Sequence, residues 1–349
     1  MSRDVRVGRH VLGHGRCFVI AEAGVNHNGS PELAHRLVDV AADAGADAVK
    51  FQTFDPEQLV AADAKKARYQ AAATGSSESQ LDMLRALVLP TAVFKELRAH
   101  AIERGIEFLS TAFDLDSARM LVDLGMGAIK VPSGEITNHP FVEELAGFSL
   151  PLLVSTGMAT LDEVDAVVRV IREAGDPPIA LFHCVTNYPT PAEDCNLAAM
   201  ATLRRAFGCP VGWSDHTAGY HVSLAAVALG AELIEKHFTL DRAMPGPDHG
   251  ASLEPDELAR MMRELREVER SLGNGVKAPA ASEIENVHVA RRSLHAARDL
   301  RAGEVLQAGD VVALRPGDGI SPAAVRELVG RRLGRGVASG AQLRLDDLA

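Results

Sequence analysis

The sequence predicts an α/β protein built as a TIM-type (β/α)8 barrel followed by a small β-rich module. Three observations carry this. Short β-rich runs alternate eight times with longer helical-periodic segments over roughly 250 residues, the size and rhythm of such a barrel. Each run opens apolar enough to be buried on both faces, as parallel strands are, and closes on polar or ionisable residues. The helical periodicity stops near Leu272, and only short segments follow. A doubly wound open sheet, the competing architecture, rarely needs eight evenly spaced units.

In chain order the runs are Cys17 to Gly24, Ala48 to Phe54, Glu107 to Asp114, Ala128 to Glu135, Pro151 to Gly157, Ile179 to Val185, Pro210 to His216 and Leu233 to Leu240. Helix starts lie between them. Ser30-Pro31-Glu32 supplies a cap, a first-turn proline and an early carboxylate, and Thr91, Ser117 and Thr160 precede further apolar-periodic runs. Gly45, Gly105, Gly125, Gly175 and Gly230 each follow a periodic segment, where a left-handed C-terminal cap is expected. The stretch Asp55 to Pro90, rich in Ala, Ser and Gln, reads as an excursion above the second strand, on the side where barrel active-site loops gather. Residues 1–272 are therefore expected to form the barrel, 273–284 a Gly/Pro/Ala linker, and 285–349 a second domain. That last segment carries ten arginines, no lysine and eight carboxylates. At about 65 residues it has little core of its own, so docking on a larger surface is expected.

Composition narrows the function. The 349 residues are 47% hydrophobic and 24% charged, values of an ordinary globular chain. The formal charge of −11 disfavours nucleic acid and membrane surfaces as partners. Four cysteines without CxxC spacing read as packing thiols of a reducing compartment. With no secretory h-region and no long apolar span, the expected location is cytoplasmic.

A barrel collects its chemistry at the C-terminal ends of its strands. Those ends carry Glu22; Lys50 and Gln52; Ser110 and Thr111; Lys130, Ser133 and Glu135; Ser155 and Thr156; His183 and Asn187; Ser214, Asp215 and His216; Glu235 and His237. Lys50 and Lys130 lie inside apolar runs, where an unpaired ammonium costs several kcal/mol, so each needs a carboxylate or an anionic ligand. Two strand lysines with hydroxyls around one mouth make an anion site for phosphate and carboxylate together. His216 and His237 end adjacent strands, so their imidazoles are expected to converge on one divalent cation, with Asp215 and Glu235 as orienting carboxylates. Without thiolates the choice lies among Mn²⁺, Fe²⁺, Co²⁺, Zn²⁺ and Mg²⁺. Asp248 and His249 border the same mouth.

The stretches IAEAGVNHNGS, AVKFQTF, FLSTAFD, IKVPSGEITN, LLVSTGM, HCVTNYPTP, GWSDHT and IEKHFTLDRAMPGPDHGASLEP, followed by ARRSL and LRPGDGI, run in order through nearly the whole chain. By these motifs the chain resembles the bacterial sialic acid synthases, nonulosonic acid synthases with a C-terminal antifreeze-like (SAF) domain of β-clip fold. The resemblance implies a transferase that condenses phosphoenolpyruvate and water with an N-acetylated amino sugar of the N-acetylmannosamine type to give N-acetylneuraminate or a close relative and phosphate, the alternative being an N,N'-diacetyllegionaminate synthase that uses 2,4-diacetamido-2,4,6-trideoxymannose. Glu22 would hold the acetamido sugar and assist proton movements. Lys50, Thr111, Lys130, Ser133 and Ser155 would hold phosphoenolpyruvate. Asn187 and Tyr188 would contact substrate beside Gln52, and Glu135, Asp215, Glu235 and Asp248 complete the expected substrate site. His216 and His237 would bind the metal, typically Mn²⁺, with Mg²⁺ or Co²⁺ as alternatives. Arg315 would reach the sugar's N-acetyl group from the partner of a domain-swapped homodimer. Ala112, Val185-Thr186 and Trp213 depart from the usual family residues.

Two other readings stay open at this stage. One is a Schiff-base aldolase on Lys130 or Lys50, which leaves the histidines unexplained. The other is a non-enzymatic binding protein whose C-terminal module is the working part.

Overall fold

The structure, a computed structural model, describes residues 4–67, 70, 71, 74 and 79–349. Eight parallel strands close into a barrel in the order β8-β1-β2-β3-β4-β5-β6-β7. They are β1 (Phe18–Gly24), β2 (Ala48–Thr53), β3 (Glu107–Ala112), β4 (Ile129–Val131), β5 (Leu152–Ser155), β6 (Ile179–Cys184), β7 (Val211–Asp215) and β8 (Leu233–His237). Every strand falls within its expected run, and most stop short of the run's polar end. At β4 the chain turns away through Ser133–Glu135. The polar ends thus leave the hydrogen-bonded ladder and become the rim.

The helix-start expectations hold in two cases and are corrected in two. Ser30 accepts from the Leu33 amide, and Thr160 with Glu163 forms a complete capping box. Thr91 is already helical, with Pro90 before it, so it caps nothing. Ser117 is inside its helix, because Asp114 accepts from both the Ser117 amide and its hydroxyl. A carboxylate one turn earlier takes the orphan donors first.

One element was not foreseen. Arg6–Val7 and His10–Val11 pair as a small antiparallel hairpin that buries Val5, Val7 and Leu12 against the barrel core. It meets the segments just before β3 and β4, so it covers the N-terminal end of the barrel. The Arg9 amide donates to Glu107, and Gly127 admits the Gly8 backbone so closely that a Cβ there would lie 2.7 Å from its nitrogen. At the same end Asp47 accepts from the Val19 amide at 2.9 Å and from Arg266 at 2.6 Å. Arg266 belongs to the helix Pro255–Leu272, which this bridge ties to the first two strands.

The excursion after β2 contains the helices Pro56–Leu59 and Gln80–Arg85, and part of it lies outside the described residues. A second compact unit spans Asn274–Ala349. The residues Ile284–Ala290 are helical, across the expected end of the linker at 284. In this unit Ser293–Ala296 pairs antiparallel with Val311–Leu314 around a small core of Leu294, Leu300, Leu306, Leu333 and Leu343. Among the described residues no helix is long and apolar enough to cross a membrane.

Candidate active site

The two-residue period of the strands sorts the rim residues. Along β8, Glu235 and His237 point into the barrel mouth while Lys236 points away; along β7, Ser214 points in and Asp215 away. The inward set lines a cavity of about 290 Å³. It unites Glu22, Lys50, Gln52, Thr111, Lys130, Ser133, Ser155, Tyr188, His216, Glu235, His237 and Asp248, twelve of the sixteen residues expected from the sequence. Barrel register makes this possible: His237 lies beside Glu22, Gln52 beside Thr111, and Thr111 beside Lys130 on neighbouring strands.

The floor is a network of buried ions. The Lys50 ammonium sits 2.8 Å from Glu22 Oε2, donates to Thr111 at 2.8 Å and lies 3.6 Å from Glu235. Lys130 donates to Ser155 at 2.6 Å, lies 3.6 Å from the other oxygen of Glu235, and stands 5.3 Å above the Phe182 ring. Glu235 therefore bridges both lysines; it does not orient the histidines as expected. Gln52 donates to Glu22 at 3.2 Å. A β-bulge between Glu22 and Gly24 interrupts the pairing with β2, and Gly24 has φ +52°. A Cβ at Gly24 would lie 3.3 Å from the Glu22 carboxylate and 3.4 Å from the Gln52 amide, so the glycine leaves room for both.

Burial pushes Glu22 up to about 7, outweighing the pull of Lys50, with Glu235 adding to the rise. For Lys50 burial acts downward, but the Glu22 and Glu235 carboxylates reverse it and the ammonium is held above its ordinary value. Burial lowers Lys130 despite Glu235. Glu235 is lowered because the two lysines overcome its own burial. The floor thus sets two lysines against Glu235 and a Glu22 whose burial favours its neutral form, an arrangement that suits an anion.

His216 donates from Nδ1 to the Val185 carbonyl at 2.7 Å, which fixes its tautomer and leaves a lone pair on Nε2. The Tyr188 hydroxyl donates into that lone pair from 3.1 Å. The His237 ring lies 5.5 Å from that of His216, and its buried Nδ1 has no hydrogen-bond partner. Burial holds both imidazoles neutral, His216 at about 4 and His237 well below its ordinary value. Two neutral imidazoles, one with an unpartnered nitrogen, fit a divalent cation whose other positions go to substrate oxygens and water. Among the described residues no group of three protein donors forms.

Three expected residues of the barrel unit lie outside this cavity, and a fourth belongs to the second unit. Asp215 accepts from Thr217 and Ser223 and pairs with Lys236 at 3.3 Å, both ions fully buried between barrel and helices. It faces away because strand parity allows only Ser214 and His216 inward, and the Val185 carbonyl takes the orienting role assigned to it. Glu135 ends the turn after β4 and accepts from Asn138 at 2.7 Å. Asn187 is exposed and donates to the Pro189 carbonyl within its own loop. Arg315 belongs to the second unit, where its Nε donates to the Ala290 carbonyl at 2.9 Å.

The sequence reading missed other lining residues. Cys184, taken as a packing thiol, lines the cavity 3.2 Å from the Ser133 hydroxyl. Its place at the end of β6 was the available signal. The apolar wall formed by Val25, Phe54, Met83, Leu84, Leu87 and Phe113 comes from loops and the excursion, for which strand periodicity gives no signal.

Comparison with known proteins agrees with this geometry. Residues 37–277 match the model of the NeuB family, and residues 291–349 match that of the SAF domain. An N,N'-diacetyllegionaminic acid synthase of Campylobacter jejuni is 46% identical over 90% of this chain and 95% of its own. Its counterpart from Legionella pneumophila is 44% identical over 94% of this chain and 93% of its own. The crystal structure of an N-acetylneuraminic acid (sialic acid) synthetase from Leptospira borgpetersenii, in complex with citrate, is 35% identical and superposes with a TM-score of 0.73, covering 82% of this chain and 96% of that one. With a family model matched over residues 37–277 and relatives up to 46% identical along nearly the whole chain, the chain belongs to the NeuB family.

Proposed function

We propose that the protein is a nonulosonic acid synthase, joining phosphoenolpyruvate to an N-acetylated amino sugar and releasing phosphate. The observation that carries this is the cavity floor, where two buried lysines and the hydroxyls of Thr111, Ser133 and Ser155 face a histidine pair across one mouth. Phosphoenolpyruvate brings two anionic groups, and Lys50 and Lys130 would hold them. His216 and His237 would hold a divalent ion, Mn²⁺ by family resemblance, which when bound polarises the aldehyde of the open-chain sugar.

Carbon 3 of phosphoenolpyruvate bonds to that aldehyde carbon, whose oxygen takes a proton, and carbon 2 becomes cationic. Water adds to carbon 2, and the bond from carbon 2 to the phosphate oxygen breaks to release phosphate. Glu22, with a carboxyl near 7, is matched to accept the proton of that water at neutral pH. Glu235, and Glu22 in its ionised form, bear negative charge toward the cation, and bonds to Lys50, Gln52 and Ser214 hold them in place. By the same resemblance we propose a homodimer in which Arg315 serves the partner's site.

Phosphate release that requires phosphoenolpyruvate, an N-acetylated mannosamine-type sugar and Mn²⁺ together tests the reading, and its absence with every such sugar refutes it. A Schiff-base aldolase is favoured by one observation, the lowered Lys130 ammonium. Borohydride with pyruvate decides between them: the synthase is expected to gain no covalent mass.

A further inference from the structure

On the outside of the barrel, one cluster of ionisable side chains takes no part in the reaction. The helix Pro31–Asp43 carries His35, Asp39 and Asp43 at a spacing of four, and the helix Thr91–Glu103 carries Glu96 and His100, with Arg104 just beyond its end. The two rows meet side chain to side chain. His35 Nδ1 lies 3.3 Å from His100 Nδ1, with the ring centroids 5.1 Å apart and the planes at 59°. Behind the rings stand carboxylates: His100 Nε2 is 2.8 Å from Asp39, and His35 Nε2 is 3.8 Å from Glu96. Arg104 donates to Asp39 at 2.8 Å and pairs with Asp43. Neither histidine lines the cavity at the barrel mouth.

Two neutral imidazoles fit this arrangement poorly. Asp39 claims the proton of His100 Nε2, which leaves a lone pair on His100 Nδ1. If His35 carries its proton on Nε2, toward Glu96, a second lone pair faces the first. If it carries the proton on Nδ1, the N–H···N contact of 3.3 Å is longer than an ordinary hydrogen bond, and the Nε2 lone pair is turned toward a carboxylate. A cation between the two Nδ1 atoms relieves both conflicts. Charge favours a dication, since three carboxylates stand against one guanidinium. Distance favours a transition metal: two ligand bonds of about 2.0–2.1 Å at a tetrahedral angle set their nitrogens about 3.3 Å apart. Asp39 and Glu96 then occupy the place of the carboxylates that orient metal-bound imidazoles. Among the described residues no third protein donor joins the pair, so the other positions go to water.

We propose that His35 and His100 form a metal site separate from the cavity, holding a Zn²⁺-class dication through their Nδ1 atoms. Imidazole donors select Zn²⁺ or Cu²⁺ over Mg²⁺ and Ca²⁺. The bound ion clips the helix that follows β1 to the helix that precedes β3, so it acts on the stability of the barrel and not on the chemistry at its mouth.

The experiment titrates Zn²⁺ into the full chain after chelation, with His216→Ala and His237→Ala introduced so that the cavity pair does not contribute. Calorimetry should show one Zn²⁺ per chain with half-saturation below about 0.1 mM, and the melting temperature should rise with Zn²⁺ but not with Mg²⁺. Adding His35→Gln and His100→Gln should weaken binding at least about 100-fold and remove the rise. Asp39→Asn keeps both ligands and should weaken binding about 10- to 100-fold through the orientation of His100; it serves if the histidine variant does not fold. Half-saturation above about 0.1 mM overturns the proposal and leaves the two rings sharing a proton only. Zn²⁺ binding left unchanged by these variants overturns it as well, because the ion then sits elsewhere.

Discussion

Replacing Glu22 by glutamine tests whether burial tunes the carboxyl at the cavity floor. Glu22 is 1% exposed, and burial, against the pull of Lys50, carries it from 4.5 to about 7. Between those values the native protein holds a proton that the unfolded chain has already released. The stability associated with this group is therefore fully present below about pH 4.5 and falls as pH rises to about 7. Over this window of about 2.5 pH units, at about 1.4 kcal/mol per unit, the fall is roughly 3 kcal/mol. Glutamine does not titrate. Lys50 has two further partners in the native structure, Thr111 at 2.8 Å and Glu235 at 3.6 Å, so the loss of the Glu22 charge should leave it paired, and the difference in unfolding free energy should move in the variant's favour by roughly 2–3 kcal/mol between pH 5 and pH 8. Urea unfolding at several pH values, followed by the fluorescence of the single tryptophan, Trp213, which is fully buried in the barrel, measures it. The variant should also lose about 10²- to 10⁴-fold in kcat, because an amide cannot accept the proton of the attacking water. Parallel stability profiles for the two proteins would refute the tuning argument.

Three further outcomes are expected. His216→Ala or His237→Ala should lose bound Mn²⁺, measured by elemental analysis, and about 10²-fold or more in activity, with unchanged circular dichroism; full activity of the double variant after exhaustive chelation would sink the metal assignment. Lys236→Met leaves Asp215 buried without its cation and should cost about 3–5 kcal/mol in urea unfolding, part of it recovered by adding Asp215→Leu; a loss within error would mean that this pair contributes little. Arg315→Ala should raise the KM for the sugar but not for phosphoenolpyruvate. If the arginine serves a partner's site, mixing Arg315→Ala with inactive Lys130→Ala chains should restore activity in mixed dimers, and no recovery in demonstrably mixed dimers counts against the swap.

The barrel was legible because each strand announces itself twice, by an apolar run and by its polar end. Individual boundaries were less so. Ser117 and Asp114 are both good caps, and only the path of the chain shows that Asp114 comes first. The N-terminal hairpin left no signal because its apolar residues, Val5, Val7 and Leu12, are too few and too scattered for a period. Cys184 and Phe54 were passed over for another reason: neither residue type marks chemistry until its neighbours are known.

The order of strands and helices, the two lysines in apolar runs and the histidines ending β7 and β8 follow from the chain alone, since local pattern and the cost of burying an unpaired charge suffice to place them. Which of those polar residues meet is a matter of closure. Barrel register sets His237 against Glu22 across 215 positions of sequence, and strand parity sends Glu235 between the lysines while turning Asp215 outward to Lys236. Loop residues obey no parity, so Asn187 and Glu135 satisfy their own backbone turns instead of the cavity. The apolar wall belongs to the same class: it exists only because segments after β1, β2 and β3 and a helix of the excursion bury their side chains against one another above the ionic floor.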